Sequence, residues 1–188
     1  MALPSPTHIL TSDPLIIAIV GPSGAGKDTI AEILCNSNGW NRVVSFTTRP
    51  MREGERDGVE HWFVNEMPRG VPLLAQTTYG GYKYWTTAAQ VVKHEVSVYI
   101  IDEAGLADLQ QTVSMLYKIN IVKVYVERDE EIRYQSGVSA ERIKRDRHRM
   151  QFHKEYYDYI IINNKSISAL KHRLRALAKS IYKKYINT

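Results

Sequence analysis

The sequence predicts an α/β fold in which a parallel sheet is covered by helices on both faces. Two observations carry this. Apolar, β-branched runs recur at residues 15–20, 42–46, 96–101, 119–126 and 159–162, and most of the stretches between them are long enough for a helix. The first run leads straight into Gly21-Pro-Ser-Gly-Ala-Gly-Lys-Asp-Thr29, the order of strand, glycine-rich turn and helix that a phosphate-binding loop needs.

In that loop the glycines let successive backbone N–H groups turn inward onto phosphate oxygens, and the helix opening at Lys27 adds the positive end of its dipole. ATP is the expected ligand, held by Gly21, Ser23, Gly24, Ala25, Gly26, Lys27, Asp28 and Thr29, with the Lys27 ammonium reaching the β- and γ-phosphates. The spacing G-x-x-x-x-G-K is complete, but Asp28 follows the lysine where the pattern has Ser or Thr, the hydroxyl that touches Mg²⁺. Either Asp28 takes the metal, directly or through water, or Thr29 serves from the next position. The helix continues through residue 35, and Cys35, the one cysteine of the chain, reads as a buried, reduced thiol.

Residues 47–86 break the alternation. They are polar and rich in glycine and aromatics, and are expected to form a small inserted subdomain of short strands and turns between core segments 15–46 and 87–188. Helices are expected over about 87–94, 103–116 and 139–156, and at the C-terminus. There Ile167, Leu170, Leu174, Leu177 and Ile181 recur at three- and four-residue steps, which marks one face packed on a core. The charged stretch at about 128–140, with Gly137 inside it, suits a short mobile lid. Residues 1–14 are expected to be flexible.

At 188 residues and 44% hydrophobic content the chain suits one domain with its own core. No apolar run approaches the roughly 18 residues of a membrane span, and the start lacks the charged and apolar regions of a signal peptide. A soluble, cytoplasmic monomer or homodimer without a membrane partner is expected. The net charge of +5 favours anionic ligands. Lysines and arginines of residues 166–185 flank an apolar stripe as a solvated helix face does, so nucleotides rather than nucleic acid are the expected partners. No histidine pair at metal spacing and no cysteine with an activating neighbour offers a competing chemistry. His94, His148, His153 and His172 stand alone on helical stretches and read as surface or packing residues.

The segment 44–64 places Arg49 and Arg52 around Pro50, so two guanidinium forks converge on one phosphate. It supplies Ser45, Thr48, Arg49, Arg52, Gly54, Glu55, Gly58 and Phe63 in the pattern S-x-x-T-R-x-x-R-x-G-E-x-x-G-x-x-Y-x-F. Together with the phosphate loop this resembles the guanylate kinase family, and the likeness runs through nearly the whole chain from Leu15. The resemblance implies a P-loop NTPase fold: a parallel five-stranded sheet flanked by helices, with an inserted NMP-binding subdomain and a short lid. It implies a nucleoside monophosphate kinase moving the γ-phosphoryl of Mg-ATP onto GMP or dGMP, with Mg²⁺ as cofactor. Ser45, Arg49 and Arg52 match the grip on the acceptor phosphate, with Glu55 as its acidic member. Thr86 matches the hydroxyl that contacts guanine, and Asp102 an aspartate where base and metal meet, making Asp28 and Asp102 the candidate metal ligands. Arg142 and Arg145, with Arg133 behind them, are the candidate lid arginines, and with Lys27 they form the expected catalytic set. Phosphoryl transfer asks for such placed cations and N–H groups rather than a protein nucleophile.

Three positions depart from the family pattern. His61 stands where the family has a phosphate-binding tyrosine; when charged it would draw phosphate more strongly, so binding is expected to weaken above neutral pH. Leu73 replaces a guanine-reading glutamate, a loss of about 1.5–3 kcal/mol, or roughly 10- to 150-fold in discrimination. Trp85 replaces a glycine and is expected either to stack on the base, to narrow the pocket, or to pack within the insert with Trp62, Tyr82 and Tyr84. These changes leave open a different base, and a non-catalytic protein-binding module is the alternative from another class. The intact Gly21, Gly24, Gly26 and Lys27 speak against the module. Binding of both nucleotides is expected to close the insert and the lid over the phosphate loop.

Overall fold

All six residues of β1 (Leu15–Val20) are buried, because this strand is central and both its faces are covered. It pairs in parallel with β7 (Val96–Ile100) on one side and β8 (Asn120–Glu127) on the other. With β2 (Asn41–Val43) and β9 (Tyr159–Ile162) the sheet runs β2-β7-β1-β8-β9, every pair parallel. The structure is a computed structural model and describes residues 13–148 and 151–186. The segment expected to be flexible lies outside these residues, apart from Asp13 and Pro14.

Successive side chains of a strand point to opposite faces. Leu15, Ile17 and Ile19 therefore pack with α1 (Lys27–Asn38) and α5 (Ile167–Ile181), while Ile16, Ala18 and Val20 pack with α2 (Glu103–Leu116). The expected C-terminal stripe is the buried face of α5 at Leu170, Leu174, Leu177 and Ile181; Ile167, in its first turn, stays exposed. Ser166 caps that helix by accepting from the Ala169 N–H, which satisfies one of the orphan donors of its first turn.

The insert is a second sheet of order β4-β3-β6-β5, built from β3 (Phe46–Thr47), β4 (Trp62–Phe63), β5 (Leu73–Tyr79) and β6 (Tyr82–Thr87). Its hairpin is rooted in the core. Leu74 and Ala75 are buried on the α2 side of the main sheet, and the Gln76 N–H donates to Asp108 of α2 at 2.7 Å. A bulge between Leu73 and Ala75 resets the alternation, so that Thr77 and Tyr79 face the cleft while Gln76 and Thr78 face solvent.

Two helices are shorter than the sequence predicts. The stretch 87–94 contains one 3₁₀ turn, Ala88–Gln90, because the Gln90 side chain accepts from the Thr87 N–H and donates to the Val44 carbonyl. The expected helix 139–156 is α4 (Ala140–Arg147) followed by a separate 3₁₀ turn, Lys154–Tyr156. There Phe152 stacks on Tyr156 at 4.0 Å and Tyr157 packs against Tyr125, an aromatic cluster that replaces continued helix. The lid stretch holds α3 (Glu130–Gln135) and a turn at Gly137.

Candidate active site

The phosphate loop leaves β1 and enters α1 at Gly26, whose left-handed backbone caps the helix without a side-chain bond. The first amides of α1 therefore have no helical acceptor, and Lys27, Asp28 and Thr29 line a cleft of about 470 Å³ together with Gly21, Ser23 and Gly24. Lys27 Nζ donates to the carbonyls of Gly21 and Pro22 at 2.8 and 2.9 Å, which holds the ammonium over its own loop. Ala25 is buried and contributes backbone, its carbonyl accepting from Asn163 Nδ2 at 2.9 Å. Asp28 forms an ion pair with Arg42 at 2.7 Å, on a side chain that is 77% exposed.

The acceptor end is built around Glu55. Arg49 gives it a two-pronged pair at 2.9 Å on each oxygen, and the Arg52 N–H adds a third bond at 2.8 Å. Burial opposes ionisation of Glu55, yet these bonds and the two guanidinium charges hold its carboxyl below the ordinary value. Arg49 Nε donates to the Tyr84 hydroxyl at 3.2 Å. Arg52 is pulled the other way: burial, then the charges of Arg49 and Arg142, lower its proton affinity. Cations here outnumber the carboxylate that neutralises them, which is the electrostatic signature of an anion site.

Across the cleft, Arg128, Arg142 and Arg145 line the wall opposite the insert. The Nε atoms of Arg128, Arg133, Arg142 and Arg145 are buried without a hydrogen-bond partner among the described residues, and buried donors of that kind call for an acceptor. Arg133 sits behind the cleft, pairing with Asp146 at 3.1 Å and donating to the Ser23 carbonyl. Asp146 also accepts from the Ser23 N–H and hydroxyl at 2.8 and 3.1 Å. Val138 presses the same loop so closely that a Cβ on Gly24 would lie 2.2 Å from its methyl group, so only glycine fits there.

At the far end, Asp102 closes β7 and caps α2, one carboxylate oxygen accepting from the Gly105 N–H at 2.7 Å and the other lying 3.4 Å from the Thr77 hydroxyl. Thr77, Tyr99 and Ile101 complete that wall. Thr86 is fully buried behind it and donates to the Tyr99 hydroxyl at 3.3 Å. Complete burial pushes the Tyr99 phenol well up, so it stays neutral.

The profile of the guanylate kinase family matches residues 12–180. The chain belongs to the guanylate kinase family. It is 32% identical to the guanylate kinase of Zymomonas mobilis over 181 residues, covering 86% of this chain and 82% of that one. With the guanylate kinase of a Synechocystis species it shares 30% over 175 residues, 85% of this chain and 90% of that one. A crystal structure of guanylate kinase from Anaplasma phagocytophilum has the same fold, with a TM-score of 0.64 at 20% identity over 95% of this chain and 89% of that one.

The three departures from the guanylate kinase pattern now have locations. Trp85 is 1% exposed and stacks on Phe46 with centroids 5.7 Å apart, inside the insert and away from the cleft wall, so packing and not base stacking accounts for it. Leu73 pairs with Thr87 at the hairpin root, and the bulge after it brings Thr77 to the wall instead. His61 lies in the cleft with Nδ1 2.8 Å from the Ser45 hydroxyl. Burial and then the Arg49 charge lower its pKa from the ordinary 6.5, against smaller opposing effects of Glu55, Asp28 and Ser45. His61 is therefore neutral at pH 7 in the ligand-free protein, and the expected weakening of phosphate binding above neutrality would have to come from a proton taken up with the phosphate, whose charge favours the imidazolium. With its pKa depressed on folding, its contribution to stability is intact above about pH 6.5 and is lost as pH falls below that value. We expect kcat/KM for the acceptor to stay level from about pH 7 to 8.5 in both wild type and His61→Gln, since this ratio reports the free enzyme; a decline in wild type alone would show a charged His61.

Sequence reasoning missed Tyr84, Thr77, Tyr79, Arg42, Arg128 and Asp146. Tyr84 carried a signal: it lies two residues before Thr86 on one strand. The alternation of an edge hairpin gives the face, though not which face meets the cleft.

Proposed function

We propose that this protein phosphorylates GMP, and dGMP alike, with the γ-phosphoryl of ATP. The observation that supports it is the meeting of three cationic sets in one cleft: the phosphate loop with Lys27, the Arg49 and Arg52 pair around Glu55, and lid arginines Arg142 and Arg145. In this reading the loop amides and Lys27 bind the β- and γ-phosphates. Ser45, His61, Tyr84, Arg49 and Arg52 hold the acceptor phosphate, one oxygen of which attacks the γ-phosphorus as its bond to the bridging oxygen breaks and ADP leaves. Arg142 and Arg145 balance charge on the transferring group, and the closed lid keeps water from competing.

Mg²⁺ fits as a metal that arrives with the nucleotide. Such sites use one or two protein oxygens plus phosphates rather than a cage, and the described residues contain no cluster of three or more acidic, histidine or cysteine ligands. Asp28 and Thr29, which line the cleft, would hold it, and it would supply positive charge that offsets that of the phosphates. We assign Asp102 to the base, since one of its oxygens is already spent on the α2 cap, and Thr86 acts there through Tyr99 rather than by contact. ADP release measured across ribo- and deoxyribonucleoside monophosphates tests this: turnover with GMP and dGMP is expected, and turnover confined to another base would replace the acceptor.

A further inference from the structure

The β5–β6 hairpin of the insert reaches across the cleft to the lid. Its strands pair from Ala75 with Thr86 to Tyr79 with Tyr82 and reverse at Gly80 and Gly81, so Tyr79 stands at the tip. There the Arg145 guanidinium lies over its ring, 4.6 Å from the centroid. The Tyr79 hydroxyl donates to Asp146 at 3.4 Å, and that carboxylate, 5% exposed, is the one bound to Ser23 of the phosphate loop and to Arg133. The same hairpin carries Tyr84, bonded to Arg49 in the acceptor cluster. One two-stranded element thus joins the acceptor-phosphate cluster to the lid and, through Asp146, to the ATP loop.

We infer that Tyr79 is a positioning residue that sets Arg145 over the transferring phosphoryl group. Among the described residues Arg145 Nε is buried without a hydrogen-bond partner, and the Tyr79 ring beneath the guanidinium is the contact that orients it. A hairpin anchored by bound acceptor holds Tyr79 still, and Tyr79 holds the lid cation. Binding at the acceptor end and binding at the ATP end then favour each other, as linkage requires. The inference rests on the transfer reaction proposed above.

The test is a set of four variants with kcat and both KM values measured. Tyr79→Phe keeps the ring and should hold kcat within about threefold. Tyr79→Ala should lower kcat on the order of tenfold with KM for GMP little changed, the size of one partly buried cation–π contact. Arg145→Ala and Tyr79→Ala/Arg145→Ala should share one kcat, because Tyr79 acts through Arg145. Losses that multiply in the double variant, or that fall on KM for GMP instead of kcat, overturn the inference. A wild type inactive on GMP overturns the proposed reaction instead. Urea unfolding of the ligand-free variants then decides the contact: coupling between positions 79 and 145 supports it, and additivity overturns it.

Discussion

Lys27→Ala lowers kcat by about 10²- to 10³-fold, the scale of removing one fixed donor from a transition state that gathers charge. The side chain donates to the carbonyls of Gly21 and Pro22 in its own loop, next to where the phosphates would lie, so the loss is expected on phosphate binding and transfer. Thermal unfolding separates this from an effect on the fold. With ATP at a hundredfold excess over its dissociation constant the wild type gains about 2.7 kcal/mol. The variant unfolds normally without ATP and gains far less at the same concentration. A variant that keeps wild-type turnover would remove the phosphate loop from the chemistry.

Asp146→Ala destabilises the ligand-free protein by about 3 kcal/mol, because it takes from the buried Arg133 guanidinium its closest carboxylate and leaves it Glu130 at 3.8 Å, a partner that is 44% exposed. Both side chains are almost wholly buried, at 7% and 4% exposure, so solvent does not screen the pair. The Ser23 N–H and hydroxyl lose their acceptor at the same time. A loss of that size is a large part of the 5–15 kcal/mol typical of a domain. Replacing both partners with apolar residues of similar volume, Asp146→Leu with Arg133→Met, should return much of it, since the cost lies in the stranded charge. Urea midpoints read the result, and an Asp146→Ala loss under about 1 kcal/mol would mean that water reaches the pair.

These residues differ in how far the sequence revealed them. The phosphate loop, and the cluster of Arg49, Arg52 and Glu55, were legible because their geometry is local: a glycine turn and a proline-fixed bend set the groups within a few residues of one another. Asp146 was not, because it lies in Arg-Asp-Arg-His, a string that reads as a solvated face, while its partners are 13, 67 and 123 residues away. The core strands followed from continuous apolar, β-branched runs and the α5 stripe from three- and four-residue periodicity, patterns that burial enforces directly. The 87–94 stretch defeated the same reasoning when Gln90 bonded the backbone of its own turn and of residue 44. Trp85 and Leu73 were read by alignment to the base site, and neither register nor bulge can be seen in a single sequence. Asp28 was read as a metal ligand from its place after Lys27. Its pairing with Arg42, fourteen residues on, is a tertiary fact that links the loop to β2.

The transfer of phosphoryl from ATP to GMP is tested most directly by product identity. Purified protein incubated with Mg·ATP and GMP should yield ADP and GDP in equal amounts by phosphorus NMR, with neither formed by Lys27→Ala. ADP accompanied by inorganic phosphate and no GDP would mean hydrolysis in place of transfer, and would contradict the assignment of the Arg49 and Arg52 cluster to an acceptor nucleotide.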